Sequence, residues 1–125
     1  MNNVGLILFG HGSRVAEANQ SVMAVTEALR ERGGYGLTAT AFLELAEPDL
    51  PAAVAALVAQ GARRIVVIPY FLTLGIHLRR DLPRIVEELE SIHPGVEILV
   101  TDPLDGHPAL LEIVMARAGA AVERL

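Results

Sequence analysis

Residues able to do chemistry follow two apolar runs of this 125-residue chain, in segments 10–14 and 69–83. The first segment reads Gly-His-Gly-Ser-Arg. In the second, an apolar loop leads to a glycine, a histidine, two adjacent arginines and an aspartate. A buried core does not need this mixture. Imidazole binds divalent metals or exchanges a proton near pH 7, and arginines at such a site suit a carboxylate-rich ligand.

The four histidines differ in what their neighbours predict. His11 lies between two glycines, which favours a functional ring over one that only bonds nearby carbonyls. His77 is also predicted to be functional, and Asp81, four residues later, could orient its ring in a helix. The alternative is that both merely cap that helix. His93 precedes Pro-Gly and is predicted to be a turn residue, whereas His107 precedes a proline and is predicted to mark a helix start.

For Glu44 and Ser13, the sequence is compatible with more than one role. Glu44 lies in the apolar segment 41–45, where burial would raise its pKa and suit it to accept a proton or bind a metal. Equally, the strand could end early and leave Glu44 in solvent. Ser13 as a nucleophile would need a base and an orienting group, which spacing does not establish. Segment 10–14 also resembles a phosphate-binding loop, but its glycines do not have the spacing of a dinucleotide-binding motif or a P-loop.

The elements that must position these residues alternate between strand and helix. Apolar runs predict strands at 4–9, 37–45, 64–69 and 96–100. Helical spacing predicts helices at 15–32, from Asp49 as N-cap to Gly61, through 82–92 and at 110–125. This order predicts a single α/β domain over residues 1–125, with a parallel sheet covered by helices on both faces.

In such a sheet the loops after the strands meet at one edge, the usual place for a ligand site in an open α/β sheet. Most of the residues able to do chemistry are predicted to lie there: His11, Ser13, Arg14, Glu44, Glu47, His77, Arg79, Arg80, Asp81, Asp102, Asp105 and His107.

Composition narrows the classes of function. The net charge of −5 argues against a nucleic-acid partner, and no apolar run is long enough to predict a membrane span. Met1-Asn-Asn3 leads directly into a strand, which predicts a cytoplasmic protein. The chain has no cysteine, so any metal would be held by imidazole and carboxylate. All ten basic residues are arginines.

With these residues laid out, the chain resembles the short sirohydrochlorin chelatases of cobalamin and siroheme biosynthesis, among the class II tetrapyrrole chelatases. The matching segments are 10–14, 42–50, 69–83 and 103–108, which run almost from end to end. The resemblance implies a flavodoxin-like domain that inserts cobalt, ferrous iron or nickel into sirohydrochlorin, with the metal as substrate and no permanently bound cofactor. It also implies a symmetric homodimer, because longer members carry two such domains. Asp105 departs from the glycine that many relatives have in the last loop.

The resemblance also implies roles for particular residues. His11 and His77 match the two histidines of the family's cleft, as metal ligands and catalytic groups, and Glu44 matches an acidic position that could assist proton removal. The predicted contacts to the macrocycle are polar and apolar side chains near these groups: Ser13, Arg14, Phe71, Leu72, Leu74, Arg79, Arg80 and Arg84. Two other functions use some of the same residues. One is a non-catalytic carrier of metal or tetrapyrrole, and the other is a nucleotide- or phosphate-binding regulator.

Overall fold

A computed structural model describes residues 3–125, in which four strands alternate with four helices. The strands are β1 (Val4–Gly10), β2 (Leu37–Phe42), β3 (Arg64–Pro69) and β4 (Glu97–Val100). The helices are α1 (Ala16–Gly33), α2 (Leu50–Ala59), α3 (Ile76–Ile92) and α4 (Pro108–Val122). The predicted α/β order is confirmed. Met1 and Asn2, part of the segment that predicted a cytoplasmic protein, lie outside the described residues.

All strand pairings are parallel, and the order across the sheet is β2-β1-β3-β4. β1 is central: Gly5 lies opposite Leu37 on one side and Ile65 on the other. Residues 5–10 of β1 are all buried, which explains why this strand is a continuous apolar run rather than an alternating one. The carboxyl ends of β1 and β3 are therefore neighbours, with Phe9 opposite Pro69.

Helices cover both faces of the sheet, as predicted. A Cβ atom on Gly10 would meet Val22 of α1, whereas one on Gly5 would meet Leu57 of α2. Since side chains of β1 alternate between faces, α1 and α2 lie on opposite sides. α3 shares the α2 side, because Leu82 belongs to the same buried cluster as Leu57.

The main core lies between the sheet and helices α2 and α3. Its members are apolar and buried: Ile7, Phe9, Ala41, Leu50, Ala53, Val54, Leu57, Ala62, Ile65, Val67, Phe71, Leu82, Val86, Leu89, Val96 and Ile98. On the α1 side the buried contacts are fewer. There, the Thr40 hydroxyl donates to the Thr26 hydroxyl (2.7 Å), and Thr26 donates to the Val22 carbonyl (3.3 Å), so a polar pair is satisfied within the packing.

Two predicted boundaries were wrong. β2 ends at Phe42 rather than at residue 45, because the Phe42 amide donates to the Pro48 carbonyl (2.8 Å) and the chain turns away from the strand direction. α3 begins at Ile76, well before residue 82. His77 and Asp81 therefore lie in the first turns of a helix and not in the preceding loop.

The predicted apolar faces of α1 and α4 are largely exposed, which differs from a sheet with both faces fully covered. Val25 of α1 and Val15, just before that helix, are exposed. Of the apolar positions at helical spacing in α4, only Leu110 is partly buried; the others are Ile113, Val114, Ala121 and Val122. Within residues 3–125, no helix is long and apolar enough to cross a membrane.

Candidate functional site

The loop after β1 is fastened to the loop after β2 by backbone hydrogen bonds. The Leu43 amide donates to the Gly10 carbonyl (2.9 Å), and the Glu44 amide donates to the His11 carbonyl (3.2 Å). Gly12 makes this approach possible, since it has a φ of +91° and a Cβ atom there would lie 1.7 Å from the Glu44 carbonyl oxygen. Only glycine fits both the left-handed conformation and the space. The backbone thus fixes His11 beside Glu44.

Ser13 is held by a residue that sequence reasoning missed. The Asn19 side chain accepts from the Ser13 amide (2.9 Å) and donates to the Ser13 carbonyl (2.8 Å). The Ser13 hydroxyl accepts from the Val15 amide (3.0 Å), a local turn that precedes α1. These contacts give Ser13 a structural task, and no base within residues 3–125 hydrogen-bonds its hydroxyl. An asparagine in the first turn of a helix that follows a glycine-rich loop was the available signal.

His11 is exposed, and its ring lies against Phe71. The ring centroids of the two are 5.3 Å apart with an interplanar angle of 65°, and Phe71 packs edge-on against Phe9 at 5.8 Å. Phe71 is only 8% exposed, so most of its surface supports His11 and the core. The Tyr70 amide donates to the Phe9 carbonyl (2.7 Å), which joins the chain after β3 to the end of β1. The His11 ring nitrogens receive no protein hydrogen bond in the described part of the chain.

Glu44 lies beyond the end of β2 and is exposed. Of the two alternatives, the structure has the one in which the strand ends early and the carboxylate meets solvent. Glu44 also borders a groove of about 650 Å³ whose lining includes Glu47 and Asp49. This acidic lining would repel a carboxylate-rich ligand. The negative groove and the arginine-bearing start of α3 therefore give the edge two surfaces of opposite charge.

His77 lies in the first turn of α3 and pairs with Arg80. An Arg80 terminal guanidinium nitrogen is 3.2 Å from Nδ1 of His77. Because arginine only donates, Nδ1 must accept, and a neutral His77 ring carries its proton on Nε2. Asp81 is not the partner of His77. Its carboxylate instead accepts from Arg84 (3.3 Å) and lies 3.6 Å from Nε of Arg80.

The arginines predicted to contact the macrocycle are exposed, although they are not all together. Arg80 and Arg84 flank Asp81 on α3, and both side chains are mostly in solvent. Arg79 borders a mainly apolar groove of about 300 Å³ beside β4, together with Leu74. Arg14 is exposed on the loop after β1.

The apolar residues proposed to face the macrocycle also differ from one another. Leu72 is 64% exposed, whereas Leu74 is partly buried and packs against the core. Phe71, below His11, offers little open surface. Leu72 is therefore the member of the three with the largest apolar surface for a ligand.

The last loop is tied to the same region through its backbone. The Leu104 amide donates to the Phe71 carbonyl (2.9 Å), and the Asp105 amide donates to the Leu72 carbonyl (2.8 Å). His107 caps α4, since its Nδ1 accepts from the Ala109 amide (3.0 Å). The prediction that His107 marks a helix start is confirmed. Asp105 holds this loop through its main chain.

No group of three or more histidine, aspartate or glutamate side chains in residues 3–125 is arranged to hold a metal ion. A tightly bound structural metal is usually held by four protein ligands and a catalytic one by three. His11, on the loop after β1, and His77, in the first turn of α3, are two exposed imidazoles at this edge of the sheet.

A sequence model of the CbiX family matches residues 5–121, nearly the whole chain. The chain belongs to the CbiX family. The solved CbiX protein from Marinobacter aquaeolei, described as a putative cobalamin biosynthesis protein, is 34% identical and superposes with a TM-score of 0.84, with 98% of this chain and 99% of that one covered. The predicted chelatase-like fold is confirmed by this likeness.

Two curated relatives of this CbiX chain carry different metals in their names. The sirohydrochlorin cobaltochelatase of Methanocaldococcus jannaschii is 30% identical, with 90% of this chain and 96% of that protein covered. The chloroplastic sirohydrochlorin ferrochelatase of Arabidopsis thaliana is 37% identical, again over 90% of this chain. The chain spans about half the length of the Arabidopsis protein.

A similar solved structure with a bound metal comes from a protein about twice as long as the CbiX chain. The sirohydrochlorin chelatase SirB of Bacillus subtilis subspecies spizizenii, in complex with cobalt, is 29% identical and has a TM-score of 0.86. The match covers 94% of this chain and 50% of SirB.

Proposed function

We infer that this chain inserts a divalent metal ion, cobalt or ferrous iron, into sirohydrochlorin. The observation that carries the inference is the pair of exposed imidazoles, His11 and His77, that follow the adjacent strands β1 and β3. The names of the curated relatives support the substrate, and their division between cobalto- and ferrochelatases leaves both metals in the proposal.

Metal insertion requires the macrocycle to lose two pyrrole protons and to bend so that its nitrogens are accessible. An imidazole can present the metal or accept a proton, but one imidazole cannot do both at once. His11 is the better metal ligand before the substrate binds, because its ring nitrogens form no hydrogen bond within the described part of the chain. Glu44, fixed next to His11 through the backbone and exposed to solvent, is the proposed acceptor of pyrrole protons.

His77 becomes available when Arg80 moves to the substrate. With Arg80 donating to Nδ1 (3.2 Å), the nitrogen lone pair of a neutral ring is occupied. A carboxylate of sirohydrochlorin offers Arg80 a charge-assisted hydrogen bond, which is stronger than the bond to a neutral ring. Engagement of the macrocycle by Arg80 would thereby release His77 to bind the metal or a proton.

The macrocycle would lie over Leu72 with its carboxylates toward the exposed guanidinium groups of Arg14, Arg80 and Arg84. Apolar contact beneath the ring and charged contacts at its rim match the chemistry of a flat polycarboxylate. Arg79 and Leu74 would extend this surface toward β4, while Phe71 and Ser13 keep the first loop in position.

The experiment is anaerobic absorption spectroscopy of sirohydrochlorin with excess Co²⁺ or Fe²⁺ and catalytic protein, against a blank without protein. We expect several turnovers above the blank, and we expect His11→Ala and His77→Ala each to abolish nearly all of them. His93→Ala is the matched control, because His93 lies at the opposite edge after α3 and should keep full activity. Full activity in both site variants would disprove the assignment.

Two assays separate the alternatives: the metal-insertion assay and calorimetry with nucleotides. A non-catalytic carrier would bind metal or macrocycle without accelerated insertion; it is not favoured, since the curated relatives are named as chelatases. A nucleotide-binding regulator would show nucleotide binding in calorimetry. That function would not explain the presence of His77.

A homodimer, a place in cobalamin or siroheme biosynthesis and a cytoplasmic location complete the proposal. The homodimer is supported by relatives that are about twice as long as this chain. Sedimentation equilibrium tests the dimer, and cell fractionation tests the location.

A further inference from the structure

Leu45, in the loop between β2 and α2, has a backbone conformation that residues with a Cβ atom rarely adopt. Its φ is +65°, in the left-handed region. The other described residues with a positive φ are all glycines: Gly12, Gly34, Gly61, Gly95 and Gly106. Left-handed backbone is unfavourable for leucine because its Cβ atom approaches the following carbonyl oxygen, and glycine or asparagine usually occupies such positions. A leucine here therefore strains the loop.

Burial of the side chain does not compensate for this strain. Leu45 is 54% exposed, and Leu43, on the other side of Glu44, is 37% exposed. An exposed leucine gains little from the hydrophobic effect, so packing within residues 3–125 does not explain why leucine stands where glycine or asparagine would fit better. Strained backbone conformations are found mainly at catalytic and ligand sites, where the surrounding structure maintains them. The strain at Leu45 is therefore typical of a residue that contacts a ligand.

Backbone hydrogen bonds hold the loop in this conformation. The Phe42 amide donates to the Pro48 carbonyl (2.8 Å), which closes the loop on itself. The Glu44 amide, one residue before Leu45, donates to the His11 carbonyl (3.2 Å). The main chain thus presents Leu45 to solvent from a fixed position beside Glu44. A loop that is already ordered loses less conformational entropy when its side chain meets a ligand.

The sheet places Leu45 and Leu72 on opposite sides of His11. In the order β2-β1-β3, the loop that carries His11 follows the central strand, and its neighbours are the loops after β2 and β3. Leu72, in the loop after β3, is 64% exposed. Leu45 does not line the acidic groove that Glu47 and Asp49 border, so its apolar surface lies outside that groove. Two exposed leucines thus flank an exposed imidazole.

We propose that Leu45 contacts the apolar face of the macrocycle, on the side of His11 opposite Leu72. A flat ring that rests on both leucines would have its central nitrogens above His11 and its rim carboxylates free to reach arginines. The inference rests on the proposed function, because it names a further substrate contact of the same site. Leu45 has no group that transfers a proton or binds a metal, so it determines the affinity for the macrocycle and not the rate of the chemical step.

Two substitutions separate the contact from the strain. Leu45→Ala removes most of the apolar surface and keeps a Cβ atom in the left-handed conformation, whereas Leu45→Asn removes the apolar surface and tolerates that conformation. We expect both variants to bind sirohydrochlorin about tenfold more weakly in a fluorescence titration without metal, roughly the effect of removing two buried methylene groups. Only L45N should have a higher melting temperature than the parent chain, by about 2–4 °C.

A conservative variant and a distant one serve as controls. Leu45→Met should keep the parent affinity, because an unbranched apolar side chain can make the same contact. Ile92→Ala is the matched control, since Ile92 is 62% exposed at the end of α3, on the opposite edge of the sheet. It should bind sirohydrochlorin as the parent does. In the insertion assay, L45A should raise KM about tenfold and leave kcat within about twofold of the parent value.

The titration and the insertion assay fail separately. Equal affinity for sirohydrochlorin in L45A and the parent would overturn the inference and leave the chelatase activity unaffected. Weakened binding in L45M as large as that in L45A would contradict an apolar contact, and a melting temperature of L45N at or below the parent value would contradict the strain. Tenfold weaker binding by L45A in a chain that inserts no metal would support the contact and disprove the activity. A parent chain that binds no sirohydrochlorin would overturn both.

Discussion

At the scale of single residues, Gly12 decides where His11 lies. Its absent side chain lets the first loop touch the Glu44 carbonyl, and its φ of +91° is unfavourable for other residues. The two residues with the clearest proposed roles are thus related through a backbone contact, and not through a contact between their side chains.

We expect Gly12→Ala to lower the insertion rate by about 10²-fold, because a Cβ atom 1.7 Å from the Glu44 oxygen must move the loop by roughly 1 Å or more. The measurement is the initial rate of sirohydrochlorin metallation. Gly36→Ala serves as the control, since a Cβ there meets nothing within 4 Å. Equal rates in the two variants would show that the position of His11 relative to Glu44 is unimportant.

At the scale of elements, α2 begins at a cap that sequence alone predicted. The Asp49 carboxylate accepts from the Ala52 amide (3.0 Å), and Pro51 occupies the first turn. This helix supplies much of the buried core, so its start contributes to the stability of the whole sheet.

We expect Asp49→Ala to reduce the free energy of unfolding by about 1 kcal/mol, the usual effect of losing a capping side chain. Urea denaturation at fixed protein concentration measures it. Asp49→Asn keeps an acceptor for the Ala52 amide and should remain close to the parent chain. A loss of the same size in both variants would assign the effect to charge and not to the cap.

Sequence reasoning succeeded at this scale where the signal is local. Apolar runs bounded by glycine and proline marked all four strands, and capping residues marked the starts of α2 and α4. It failed for β2 beyond Phe42 and for the start of α3, because hydrogen bonds to distant loops or a continuing helix decide those boundaries. The four-residue spacing predicted that Asp81 would contact His77, but Arg80 contacts the ring instead. Spacing alone does not decide which of several charged neighbours on one helix pairs with the histidine.

At the scale of the whole molecule, the apolar pattern predicted cover for both sheet faces. The apolar pattern indicates which side chains favour burial. It does not indicate whether α4 packs against the rest of the same chain. Val114 and Val122 carry a periodicity typical of a buried face, and only the three-dimensional structure reveals that their own sheet leaves them exposed.

We expect the melting temperature to rise with protein concentration, by about 3–5 °C for each tenfold increase, because association stabilises the folded state by mass action. Differential scanning calorimetry over two decades of concentration measures it. A melting temperature that does not change with concentration would argue against the proposed homodimer.

The exposed apolar face of α4 and the proposed homodimer have a consequence for the cell's supply of this protein. If only the paired chains are active, output per molecule depends on how many molecules are present. A cell that halves synthesis of the chain would then lose more than half of its metallation capacity. Gene dosage would act as a steeper control than it does for an enzyme that works alone.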